Sequence, residues 1–386
     1  MVFIFKGILF KESQLIYSRD FNQMNRMKNK LQSPLTFPCG VTMKNKFMLA
    51  PMTNTQSNED GTLSEDELHW LTMRAKGQFG LVMTCAAHVQ KIGQGFPGQL
   101  GIFSDLHIEG HKSLVADIKS HGSLAVIQLH HAGMRTPYEL IGESPVCPSD
   151  NEKSGARALS SAEVKQLKND FVAAALRAQR CGYDGVEVHG AHGYVLTQFL
   201  SSEFNHRTDE YGGNLENRSR LLFEIVQEIR EQCGKEFLLG VRLSPERFGM
   251  DLNEVKQVCK RFIEEDIIDF LDISLWDVFK MPEEEKYQNK SLLAHFTELD
   301  YKNILLTVAG KIRNGDEVKK AMESGIDFVS IGRSAILHHD FPEKVMNNID
   351  FEPVKTPVSP DYLKKEGLGK DFIQYMRNWK GFVIED

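Results

Sequence analysis

Eight short apolar runs, each followed by an amphipathic stretch, constrain the fold of this chain more than any other feature. They are FMLAP (47–51), LVMTCA (81–86), LAVIQL (124–129), GVEVHG (185–190), FLLGVRL (237–243), FLDISL (270–275), ILLTVA (304–309) and FVSIGR (328–333). None alternates polar with apolar residues, so each reads as a strand buried on both faces. The segments between them carry helical spacing. Val164, Leu167, Phe171, Ala174 and Ala178 step by three and four behind Ser160 and Ser161, which are N-cap candidates. Leu221, Leu222, Ile225, Val226 and Ile229 form a second stripe, and Val255, Val258 and Phe262 a third. Asn314 can cap a helix running through Met322, with Gly325 just past its end. Eight strand–helix units predict an α/β fold of the (β/α)8 TIM-barrel type. The alternative, an open doubly wound sheet, would leave edge strands, and eight equally buried runs favour closure.

The remaining segments are placed around that barrel. LTFPCGVTMKNKF reads as an N-terminal hairpin plugging the barrel bottom. Residues 1–30 read as a non-core extension, with Met24 and Met27 as later starts if the assigned one is over-long. Residues 31–340 make the barrel, and 341–386 a C-terminal extension whose aromatics (LGKDFIQYMRNWKGF) pack on the barrel or on a neighbouring subunit. With 386 residues, 41% hydrophobic and 26% charged, the chain can bury a full core. A net charge of −7 speaks against a nucleic-acid binder, which needs a basic face. No apolar run approaches the ~20 residues that span a bilayer. The opening MVFIFKGILF is broken by Lys6 and lacks a small-residue cleavage site, so the expected location is the cytoplasm. The six cysteines include no C-x-x-C pair, which argues for reduced thiols over disulfides, zinc or an iron–sulfur cluster. A G-x-G-x-x-G match at Gly93, Gly95 and Gly98 contains Pro97 and is followed by GIFSD instead of a helix, so it lacks the dinucleotide-binding context.

In a barrel, chemistry sits at the C-terminal ends of the strands. Those ends carry Thr53, Ala86, Gln128, His189, His192, Arg242, Gly310, Lys311, Gly332 and Arg333. Neutral hydrogen-bonding groups fall on one side and cations on the other. Glycines and Arg333 after strands 7 and 8 suit a phosphate, which backbone N–H groups approach where no side chain intervenes; they also suit a plain turn with a solvated charge. HGAHGY (189–194) admits three readings: a metal pair, two satisfied core histidines, or an oxyanion clamp in which His189 and His192 donate to a carbonyl oxygen and Tyr194 delivers a proton. The metal reading lacks the i, i+4 spacing and the acidic residue of the usual zinc helix.

The motifs APMTN (50–54), IQLHHAGMR (127–135), GYDGVEVHGAHGYVLTQFLS (182–201), NHRTDEYGGNLENRSRLLFE (205–224), VRLSPE (241–246) and SIGR (330–333) occur in one order across the whole barrel. On these the chain resembles the Old Yellow Enzyme family of FMN-dependent NAD(P)H oxidoreductases, also called the NADH:flavin oxidoreductase family. The resemblance implies a non-covalent FMN lined by Ala50, Pro51, Met52 and Thr53, with Thr53 near O4 and N5, where many bacterial relatives carry Cys. It implies Ala86 and Gln128 against the isoalloxazine, Arg242 by N1 and O2, and Gly310, Lys311, Gly332 and Arg333 on the phosphate. His189 and His192 would bind the carbonyl oxygen of an electrophilic acceptor, and Tyr194 would be the proton donor. Hydride would pass from NADH or NADPH to FMN and then to an activated C=C bond, donor and acceptor alternating in one pocket. No cysteine follows Cys259, so the cluster-bearing segment of larger relatives is not expected. A homodimer or homotetramer is compatible with the resemblance. Two other functions compete: a metal-dependent barrel hydrolase or lyase using His189 and His192, and a flavin-binding protein without catalysis. Loops 88–105, 133–160 and 276–300 are expected to shape acceptor choice, and RTDEYGGNLENRSR to be a loop held by charge pairs among Arg207, Asp209, Glu216 and Arg218.

Overall fold

A computed structural model of the protein describes residues 25–385. Each apolar run forms a strand: β1 (Phe47–Leu49), β2 (Leu81–His88), β3 (Leu124–His130), β4 (Gly185–Gly190), β5 (Leu238–Leu243), β6 (Phe270–Ser274), β7 (Leu305–Ala309) and β8 (Phe328–Ile331). All neighbours pair in parallel, and β8 pairs with β1 to close the barrel. Closure explains the uniform burial, because every strand faces the barrel interior on one side and helices on the other.

The helices follow the capping chemistry. Ser160 accepts from the Glu163 N–H while the Glu163 side chain reaches back, a capping box that starts helix Ser161–Arg180. Asn314 caps Gly315–Glu323 through the Glu317 N–H. Each such cap stabilises its helix by about 1 kcal/mol. The G-x-G-x-x-G segment forms a short turn at Lys91–Gly93 and a loop, with no helix after it.

The barrel interior is layered. Met48, Leu81, Met83, Val126, Leu238, Phe270 and Phe328 fill its lower end. The antiparallel hairpin pairing Leu35–Thr36 with Thr42–Met43 closes that end, inserting Phe37 and Met43 among them. Phe37, Phe270 and Phe328 contact one another with centroids 5.6–5.9 Å apart. Gly240 makes room for this layer, since a Cβ there would lie 2.1 Å from the Phe270 ring. Above it the lining turns polar, with Gln128, Glu187, Arg242, Asp272, Thr307 and Ser330 all buried.

One boundary and one ion pair differ from expectation. The part of the leading extension before residue 25 lies outside the described residues, and with it Met24. Residues 25–32 are helical, and Met27 and Leu31 are buried against the barrel, so the core begins earlier than residue 31. In the charged loop, Arg207 pairs with Asp209 at 2.5 Å as expected, but Arg218 pairs with Glu254 at 2.5 Å instead of Glu216. Arg218 lies in helix Leu215–Cys233 and reaches across to the next helix, a contact that loop composition does not reveal. The C-terminal helix Lys370–Arg377 packs Phe372 edge-on against Trp70, centroids 4.9 Å apart. Among the described residues no helix is long and apolar enough to cross a membrane.

Candidate active site

The C-terminal strand ends open into a cavity of about 490 Å³. Its wall includes Ala50, Pro51, Met52 and Thr53 after β1, His192 and Tyr194 after β4, and Arg242 on β5. Gly310 and Lys311 after β7 and Gly332 and Arg333 after β8 line it as well. Three expected residues, Ala86, Gln128 and His189, are not among the lining residues. The Ala86 carbonyl accepts from Gln99 at 2.7 Å. Gln128 donates to Glu187 at 2.7 Å. His189 backs His192, its Nε2 3.3 Å from His192 Nδ1.

One half of the mouth is built from imidazoles. His192 has φ +62, an uncommon value for a non-glycine residue. Its backbone N–H donates to Ser244 Oγ at 2.9 Å, and its Nε2 lies 2.7 Å from Ser274 Oγ. Burial pushes the His189 and His192 imidazoles well below their usual range; positive neighbours, among them Arg242 and Arg135, push the same way. Both rings are therefore neutral near pH 7, each with a single N–H. Tyr194 lies beside them, its ring 5.3 Å from His189 and 4.3 Å from His130. Burial holds its phenol above the ordinary value despite the nearby Arg135, so the hydroxyl stays protonated.

The opposite half is cationic. Lys311 ion-pairs with Asp277 at 3.1 Å, and Arg313 with Glu317 at 2.6 Å. Arg333 lies over the Trp379 ring at 5.1 Å, with no carboxylate partner among the described residues. Gly310 has φ +148, and a Cβ there would sit 2.8 Å from the Trp276 carbonyl carbon. Backbone therefore passes close to backbone at the end of β7, a geometry that only glycine permits.

Between the halves, Arg242 Nε stands 3.0 Å from Asp272 Oδ2, both side chains nearly sealed from water. Arg242 and Asp272 are register partners, as are Gln128 and Glu187. The guanidinium pairs with Asp272, and its charge also acts on Glu187; burial raises both carboxyls, Glu187 further through Asp272. Arg242 holds Asp272 as the ion; Glu187, bonded to a neutral amide, is the member that keeps a proton. Ser330 Oγ is buried without a hydrogen-bond partner, and Arg242 Nε faces Asp272 as an ion pair without a well-aligned hydrogen bond. A buried hydroxyl with nothing to bond and a guanidinium beside a cavity with a cationic end fit a flat heteroaromatic ligand that carries a phosphate and acceptor oxygens.

Several lining residues were not singled out from the sequence. Glu187 and Asp272, which do not line the wall, were also missed, although each is a carboxylate inside an otherwise apolar run. Arg135 and Trp276 fall in two of the loops expected to shape the mouth, but loop 88–105 contributes none of the wall. Phe248 and the C-terminal Tyr375, Met376 and Trp379 also line it; their helical spacing is visible in the sequence, but not where the helix docks. Among the described residues, the one trio of His, Asp and Glu side chains close enough to hold a metal is His339, Asp340 and Glu366, outside this cavity. Among the described residues, His189 and His192 have no such third ligand.

Residues 30–352 match the NADH:flavin oxidoreductase / NADH oxidase family. A probable NADH-dependent flavin oxidoreductase of Bacillus subtilis is 35% identical over 371 residues, covering 93% of this chain and 99% of that one. An NADPH dehydrogenase of Bacillus cytotoxicus is 36% identical over 337 residues, 84% of this chain and 94% of its own. Among solved structures, an old yellow enzyme homologue from Zymomonas mobilis aligns with a TM-score of 0.74 at 28% identity, covering 86% of this chain and 96% of that one. Morphinone reductase in complex with tetrahydroNAD aligns with a TM-score of 0.71 at 26% identity, over 86% and 93% of the two chains.

Proposed function

The chain belongs to the NADH:flavin oxidoreductase / NADH oxidase family, and within it we propose an ene-reductase that reduces the C=C bond of enone-like electrophiles. It is an FMN-dependent NAD(P)H oxidoreductase with a TIM-barrel fold. What carries the finer reading is the convergence of a cationic end and a neutral imidazole–phenol edge on one cavity.

Lys311, Arg313 and Arg333, with the glycine backbone at 310 and 332, would hold the FMN phosphate. Ala50–Thr53 would line the ring, and Arg242 would face its electron-rich edge. Bound there, FMN supplies two-electron hydride chemistry between NAD(P)H and the acceptor. The protein does the rest. His189 Nε2 and His192 Nδ1, 3.3 Å apart, can both donate to one oxygen entering between them. With the Ser274 hydroxyl donating to His192 Nε2, the ring proton would sit on Nδ1. His189 Nδ1 is buried without a partner, as suits a bare nitrogen in the Nε2–H tautomer. Two neutral donors then meet the charge that grows on the acceptor oxygen as its β-carbon is reduced. Tyr194 holds a proton beside the same pocket and delivers it to the α-carbon. That morphinone reductase binds tetrahydroNAD supports a nicotinamide donor for this chain; the donor would occupy the same cavity in alternation with the acceptor. The six unpaired cysteines support a reducing compartment, the cytoplasm.

Anaerobic titration tests the reading. The purified protein should be yellow, bleach on adding NADH or NADPH, and regain colour with one equivalent of 2-cyclohexenone, yielding the saturated ketone. A colourless protein inactivated by chelators would favour metal hydrolysis, and a yellow one that never bleaches would favour mere flavin binding.

A further inference from the structure

Of the cations around the cavity, Arg242 has Asp272, Lys311 has Asp277 and Arg313 has Glu317 as a counter-charge. Arg333 is reserved for the FMN phosphate on the reading above. Arg135 remains, with no carboxylate partner among the described residues. It lies after β3, across the barrel from β7 and β8, at the imidazole edge instead of the phosphate end.

Arg135 is exposed at the cavity mouth, but it is anchored there. Its guanidinium donates to the His192 carbonyl and stands 4.8 Å from the centroid of the Tyr194 ring. The turn that carries it, Gly133–Arg135, is locked by the fully buried Gln198. The Gln198 side chain accepts from the Met134 N–H at 3.1 Å and donates to the Gly193 carbonyl at 2.8 Å and to the Ala132 carbonyl at 3.2 Å. The same amide therefore ties the arginine's turn to the His192–Tyr194 loop. Gly133, with φ +62, is pressed against it, since a Cβ there would lie 2.3 Å from Gln198 Oε1. A guanidinium left one-sided and held rigidly at a ligand edge is arranged to receive an anion.

We propose that Arg135 is a specificity determinant that binds a carboxylate on the acceptor, so that the preferred substrates are activated alkenes carrying a carboxylate besides the carbonyl held by His189 and His192. This rests on the ene-reductase reading of the imidazole edge. The phosphates of NAD(P)H are the other source of an anion, and the two half-reactions separate them: a carboxylate acts in reoxidation, a nucleotide phosphate in reduction.

The test compares 4-oxopent-2-enoate with its methyl ester, which share the alkene and ketone while the ester lacks the negative charge. Taking the acid-to-ester ratio between variants cancels their different intrinsic reactivity. Rates of reoxidation of the reduced holoenzyme by each are measured by anaerobic stopped flow, in wild type, Arg135→Gln and Arg135→Lys. The expected result is that Arg135→Gln lowers the acid-to-ester ratio of kcat/KM by about 10–100-fold, as loss of one charge-assisted contact implies, that Arg135→Lys recovers part of it, and that added salt lowers the acid's rate more than the ester's. Equal losses on acid and ester would overturn the proposal and make Arg135 a support for the loop. A loss confined to reduction by NADH or NADPH would overturn it in favour of a nucleotide contact. If neither compound reoxidises the wild-type flavin while a quinone does, the ene-reductase reading fails first and the assignment of Arg135 falls with it.

Discussion

The two halves of the barrel mouth face one cavity and solve opposite electrostatic problems. Around β3 and β4, buried imidazoles are kept neutral: His130, His189 and His192 are all pushed well below the usual range, and His131 down to about 3. Around β7 and β8, the cations Lys311 and Arg313 reach solvent and are paired with carboxylates. A phosphate is a permanent anion and calls for permanent cations. A carbonyl oxygen is charged only while it reacts, and a cation buried against it beforehand would carry a large desolvation cost. Neutral N–H donors avoid that cost and still stabilise the transient charge. Arg242 and Asp272 lie between the two regimes, a sealed ion pair at the seam.

The largest expected effect breaks the seam. Arg242→Ala leaves Asp272 buried without its counter-ion, a loss of about 3–5 kcal/mol by analogy with other buried pairs. Chemical denaturation should show the lower stability, and the remaining flavin should dissociate readily or titrate at a lower potential; an unchanged midpoint would contradict the assigned role. His189→Ala or His192→Ala should sharpen the contrast from the imidazole side, slowing reoxidation by an enone roughly 100-fold, the usual cost of one oxyanion donor. FMN affinity should move far less, which equilibrium dialysis checks. Lys311→Met probes the opposite wall: FMN binding should weaken about tenfold, the size of one charge-assisted contact, with reoxidation of the loaded enzyme affected little.

The smallest effect is a pH dependence. Glu187 is pushed up to about 8 by burial and by Asp272, against 4.5 for an ordinary glutamate. The folded state therefore binds the proton more tightly than the unfolded chain. Its stabilisation is complete below the ordinary value and is lost as pH rises through the folded one. Thermal stability of wild type should fall over that window by ~2–4 °C more than that of Glu187→Gln. Parallel curves for the two proteins would mean that Glu187 is ionised in the fold.

Much of this contrast is legible in the sequence, because both its sources are local. Runs such as LVMTCA and ILLTVA can only be strands buried twice over, and eight of them close a barrel. Once the barrel is assumed, strand ends locate His192, Arg242, Lys311 and Arg333 by position alone. What escapes is whatever depends on distant chain meeting distant chain. Tyr375 and Trp379 reach the cavity because Phe372 docks on Trp70, more than 300 positions away in the sequence. Arg218 chooses Glu254 over the nearer Glu216 for the same reason. Arg135 is visible as a letter in IQLHHAGMR, but that no carboxylate among the described residues pairs with it emerges only in the fold. Glu187 and Asp272 are intermediate: their oddity within apolar strands is plain, the pull of Arg242 on both is not.

The division of labour across the mouth is tested most directly by Tyr194→Phe, followed through both half-reactions in anaerobic stopped flow. Reoxidation by 2-cyclohexenone should slow by about 10²-fold or more, the range for loss of a positioned acid, while reduction by NADH or NADPH stays within a few-fold of wild type. Equal slowing of both half-reactions would contradict the account, because Tyr194 would then support the pocket as a whole instead of delivering a proton at its imidazole edge.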